Sequence, residues 1–140
     1  MKADANVPNI LKADGVKRSV FNKANREITS IPDLIDYYGR DESWSHCLVD
    51  TESNSATLIC QQPGEGNRRH HHPDWNEWWF IVEGIWEWDI EGIKKEINKG
   101  DHVFIEKNRK HKITAKGSTC AIRIAVSRYD VDHVYDTADF

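Results

Sequence analysis

The sequence predicts an all-β domain, a sandwich or barrel of short strands. Three observations carry this reading. From Ser43 onward, short runs rich in Val, Ile, Trp and Phe are separated at regular spacing by turns built on Gly, Asn and Asp. Within residues 86–91 apolar and acidic side chains alternate, the period of a strand with one buried face. The chain has 140 residues, one domain's worth and enough to close a single core.

In chain order, residues 1–42 read as an N-terminal extension, 43–127 as the barrel and 128–140 as a tail. Residues 7–12 are a short apolar stretch, and 16–31 supply one edge strand. A short helix follows: Ser30 suits an N-cap, Pro32 the first turn and Asp33 the third position after the cap, while Gly39 ends it. Strands are expected at 55–62, 67–72, 77–83, 86–91, 94–98, 102–106, 111–115 and 119–126. The turns between them fall at 63–67, Pro73-Asp74, Gly84, Gly92, 99–101, 107–110 and Gly117-Ser118. The acidic tail is expected to wrap back through Tyr129, Val131, Val134, Tyr135 and Phe140.

Charge and composition close several classes. With 19 Lys+Arg against 23 Asp+Glu the net charge is −4, which lacks the basic stripe that a phosphate backbone demands. No apolar run approaches a membrane span, and the first twenty residues show no signal-peptide core. Cys47, Cys60 and Cys120 are odd in number and widely spaced, so they read as reduced thiols of a cytoplasmic protein.

Chemistry concentrates after residue 66. Strand geometry turns His70 and His72 to one face and His71 to the other. Glu77 opens the next strand and returns a carboxylate toward them, and His111 opens a strand further on. Three imidazoles and a carboxylate form a mixed N/O donor set suited to divalent first-row metals. His102 is off the expected face, and His46 and His133 are assigned to solvent.

The spacing is more specific than the residue types. Gly64, five residues, His70-x-His72, four residues, Glu77, six residues and Gly84 are followed by a second segment from Gly100 through Asp101-His102-Val103-Phe104-Ile105 to His111. Over residues 55–127 the chain resembles the cupin superfamily. Glu106 and Asn108 stand where that family usually has Pro and Gly, and Asn108 tolerates the left-handed turn. The resemblance implies a cupin-type jelly-roll β-barrel with His70, His72, Glu77 and His111 as ligands of one divalent ion. Fe2+ leads, with Mn2+, Ni2+, Co2+ or Zn2+ as alternatives.

Parity from these residues sketches a substrate pocket of Arg68, Gln62, Trp79, Trp88 and Ile113. Arg68 either receives an anionic substrate or pairs with Glu65 at the barrel mouth. Of Gln61 and Gln62 one must face the barrel, and Gln62 is assigned to it. On the last strand Cys120, Ile122 and Ile124 are expected inward and Arg123 outward, unless a bulge shifts the register. The leading functional expectation is a metal-dependent oxygenase of a small polar organic acid, with Glu77 as its catalytic carboxylate. The alternatives are a non-redox isomerase or lyase acting on a sugar derivative, and a non-catalytic binding protein. The expected partners are a small-molecule substrate and a second copy of the chain, because exposed strands and outward Trp residues need cover.

Overall fold

The computed structural model describes residues 7–128 and 133–135, and these form two sheets facing each other. Before the barrel come α1 (Val7–Ala13), β1 (Arg18–Val20) and α2 (Ile31–Tyr38). The barrel strands are β2 (Trp44–Asp50), β3 (Ser55–Gln61), β4 (Gly66–His71), β5 (Glu77–Glu83), β6 (Ile85–Ile90), β7 (Ile93–Asn98), β8 (His102–Ile105), β9 (His111–Lys116) and β10 (Ala121–Ser127), with β11 (Val134–Tyr135) in the tail. One sheet runs β1-β2-β3-β10-β5-β8 and the other β11-β4-β9-β6-β7. The architecture is the jelly-roll barrel with a short helix.

Strand alternation divides the buried residues into two layers. Inside the barrel, Trp79, Ile81, Trp86, Trp88, Ile105 and Ile113 pack as one cluster. On the outer face of the first sheet, Trp44, Leu58, Cys60, Cys120 and Ile122 pack against Ile35 of α2. The first sheet is therefore buried on both faces over β2, β3 and β10. That corrects the inward placement of Cys120 and Ile122: they are core, but the core beneath α2.

Local chemistry explains the elements. The backbone N–H of Asp33 donates to Ser30 Oγ at 3.3 Å, and Gly39 closes α2 at φ 81°. Asn108 holds the expected left-handed turn at φ 70°, and its N–H donates to the His72 carbonyl at 2.7 Å. This bond ties the β8–β9 turn to the end of the His-bearing strand. The stretch at residues 7–12 is helical rather than merely apolar: Leu11 of α1 packs with Val16 and Ile59 at one end of the barrel. The edge strand is the three-residue β1, parallel to β2. In the tail, Val134 and Tyr135 pair with His71 and His70 of β4. Tyr129, Val131 and Phe140 lie outside the described residues.

Candidate metal centre and barrel cavity

His70 and His72 leave the end of β4, His111 begins the neighbouring β9 and Glu77 begins β5 across the barrel. The register sets His70 opposite His111. One ring nitrogen from each of the three His lies within 4.8 Å of the others, and all three side chains are buried. Glu77 Oε1 lies 3.4 Å from His72 Nε2 and 3.8 Å from His111 Nε2.

Backbone carbonyls orient two of the rings. His70 Nδ1 donates to the Arg68 carbonyl at 2.6 Å and His111 Nδ1 to the Arg109 carbonyl at 2.8 Å. A carbonyl only accepts, so both protons sit on Nδ1 and both Nε2 lone pairs are free to ligate, the usual support for a metal-binding imidazole. His111 Nε2 is buried with no hydrogen-bond partner. Burial pushes His70 well below the ordinary imidazole value and His111 down to about 4, so both are neutral at neutral pH. Burial alone would raise Glu77, but the adjoining His72 and His111 outweigh it and hold the carboxyl at about 2. Neutral nitrogens around one carboxylate are a donor set that fits a divalent first-row ion.

His133, expected in solvent, lies instead at this cluster, its ring centroid 4.7 Å from those of both His70 and His72. The pairing of β11 with β4 brings it there. His46 is buried too, its Nδ1 2.8 Å from Tyr38 Oη, because α2 lays Tyr38 over β2. His102 is exposed and packs on Trp78, away from the cluster.

The pocket residues separate. Trp79 lines a partly open cavity of about 50 Å³ with Glu77, Asn67, Thr57, Arg123 and His133. Trp88 and Ile113 are fully buried in the barrel core, where Trp88 stacks on His111 at 5.7 Å and backs the cluster. Gln62 turns outward, its Nε2 donating to the Arg40 carbonyl at 3.0 Å, and Gln61 faces in.

Arg68 lies away from the cavity: its guanidinium pairs with Asp14 at 2.5 Å and sits 4.1 Å over the Tyr135 ring. The partner is Asp14 of the N-terminal segment rather than Glu65. The cause is a register shift in β4 between Asn67 and His70 against β9, which breaks simple alternation and turns Asn67 to the cavity.

Arg123 makes the opposite exchange. It is fully buried, and its guanidinium carbon lies 3.9 Å from the Trp79 ring centre and 4.7 Å from that of Trp86. A shift in the β10–β5 register falls between Ile122 and Arg123. Sequence reasoning placed this residue outward and admitted it to the cavity only with such a register shift. The available signal was a single basic side chain in an otherwise apolar run opposite a Trp-rich strand. For His133 the signal was the expected wrap of the tail through Val134 and Tyr135, but which strand the tail meets is set only by the tertiary pairing.

Residues 57–127 match the family model described as Cupin domain. Among curated protein sequences none matches the chain. Solved structures share the fold. A Klebsiella pneumoniae protein with a double-stranded β-helix domain aligns with TM-score 0.67 at 20% identity, covering 79% of this chain and 92% of that one. The polyketide cyclase RemF of Streptomyces resistomycificus aligns with TM-score 0.60 at 19%, covering 72% and 77%. A sugar phosphate isomerase of Silicibacter pomeroyi aligns with TM-score 0.56 at 17%, covering 61% and 57%. At these identities the likeness establishes the fold, and one such fold carries many reactions.

Proposed function

The chain belongs to the cupin family, and from that premise we propose that it is a small metal-dependent enzyme, an Fe(II)-type oxygenase of a small polar organic acid. In this reading His70, His72, Glu77 and His111 hold one divalent ion. The observation that carries it is the buried His cluster, with two rings locked by backbone carbonyls so that Nε2 of each points inward.

Bound there, the ion would polarise a substrate oxygen and, as iron, support dioxygen chemistry. The protein's own part is positioning. The Arg68 and Arg109 carbonyls fix two imidazoles, and Trp88 stacked on His111 keeps water from that side. Among the described residues Glu77 is the one carboxylate lining the cavity, and in this reading it is the catalytic carboxylate as well as a ligand. The three free, buried thiols Cys47, Cys60 and Cys120 support a reducing compartment, the cytoplasm. The outward aromatics of β5 and β8 support a homodimer.

Untagged protein purified anaerobically is expected to contain one divalent ion by elemental analysis, and oxygen uptake on a panel of two- to four-carbon acids is expected to require Fe(II). H70A, H72A and H111A should each lose the metal; full occupancy in all three overturns the ligand assignment. Turnover that persists without oxygen in the Mn(II) or Zn(II) form overturns the oxygenase reading in favour of isomerase or lyase chemistry.

A further inference from the structure

Arg123 is a buried charge with incomplete partners. Its guanidinium donates to Gln61 Oε1, while Nε and Nη2 have no hydrogen-bond partner. Leaving such donors unmet inside a protein is costly, and the cost falls when a ligand supplies acceptors. On the same cavity wall, Trp79 Nε1, a donor, and Asn67 Oδ1 are also buried without a hydrogen-bond partner. Donors outnumber acceptors, so a ligand that suits this wall is rich in acceptors.

Charge points the same way. Among the described residues Glu77 is the one carboxylate on the cavity wall, while Asp14, which also acts on Arg123 from a distance, is already paired with Arg68. A divalent ion held by Glu77 and neutral imidazoles would already exceed that one negative charge, and the uncancelled Arg123 calls for an anion. Burial pushes the Arg123 guanidinium down to about 9, which leaves it charged at neutral pH.

The cavity is small, about 50 Å³, and partly open. A carboxylate with a short carbon chain suits it better than a nucleotide or a sugar phosphate. Ile10 and Leu11 of α1 line the same cavity and give it an apolar side.

We infer that Arg123, rather than Arg68, receives the carboxylate of a small organic acid in the barrel, with Asn67 and Trp79 beside it and the His–Glu cluster as the reacting end. The planar guanidinium fork matches a carboxylate, and the Trp79 and Trp86 faces hold it in place. Arg123 is thus a substrate-binding residue that sets specificity for short carboxylic acids. This inference rests on the reading of the cluster as the reacting centre.

The test is calorimetric titration of malonate, with neutral malonamide as the control, into the metal-free and the zinc-loaded full chain. Wild-type protein is expected to bind malonate and not malonamide. R123Q should weaken malonate binding at least tenfold while still taking up zinc, and R68Q should leave it within twofold. Should R123Q not fold, R123K serves, because it keeps the charge and loses the fork. Wild-type protein adds an independent reading: the Nε–H resonance of the solvent-shielded arginine should move with malonate and stay with malonamide. Equal malonate affinity in R123Q, loss in R68Q alone, or a static buried arginine resonance each overturn the inference, as does a wild-type protein that does not bind malonate. Failure to take up zinc overturns the metal-centre reading instead, and malonate binding to the metal-free chain still decides the role of Arg123.

Discussion

Arg40 reaches from the segment after α2 to Glu83 at the end of β5, with Nε 2.7 Å from one carboxylate oxygen and Nη2 3.0 Å from the other. The hydrogen bonds and charge of Arg40 hold the Glu83 carboxyl below its ordinary value of 4.5. A lowered carboxyl stabilises the fold above its unfolded value, and that contribution is lost as pH falls through the folded value. Both side chains are partly exposed, so the pair is worth at most about 1 kcal/mol. R40Q is expected to lower urea stability by about that amount at pH 7, with the difference closing below pH 4.5; a gap unchanged at pH 3 contradicts this. The metal-type residues were legible at this scale because strand parity and spacing act over a few residues. The two arginines were not. Parity put Arg68 inside and Arg123 outside, and register shifts in β4 and between β10 and β5 accompany the reverse arrangement. The same limit hid which of Gln61 and Gln62 faces the barrel.

Elements were more legible than side-chain directions. The strand at 77–83 was expected where it lies, and the other strands expected from residue 55 onward differ from the observed ones by a residue or two at their ends, whereas β1 is far shorter than 16–31 and β2 had no range of its own. Glycine turns fix the ends, and Gly84 shows why. It has φ 82°, and an added Cβ would come within 2.7 Å of the Ala121 backbone. Gly92 has φ 86° in open space. G92A should cost about 1–2 kcal/mol, the usual left-handed penalty, and G84A clearly more, since the β10 backbone must also move. Thermal denaturation of both variants checks this ordering, and equal losses contradict it. The helix at α1 went unread because seven residues make a marginal helix alone; packing of Leu11 on Val16 and Ile59 holds it. The two-residue β11 is too short to leave any periodic signal.

At the scale of the whole molecule, α2 is too short to cover the first sheet. Its far side leaves Trp78, Phe80 and Phe104 at 41%, 40% and 58% exposure, with Trp78 paired to Phe104 across β5 and β8. Contiguous exposed aromatics beside an edge strand favour a second copy. Light scattering at micromolar concentration is expected to give a dimer, and a W78S/F104S variant a monomer; a monodisperse wild-type monomer contradicts the dimer. By itself the sequence determined the all-β class, the run of turns and strands, and that His70, His72, Glu77 and His111 come together, all of which depend on spacing and period along the chain. Only the tertiary structure decided which arginine enters the barrel, that His133 joins the cluster and that α1 closes one end. Those outcomes depend on register between strands and on contacts between distant segments, where a shift of one residue turns a side chain to the other face.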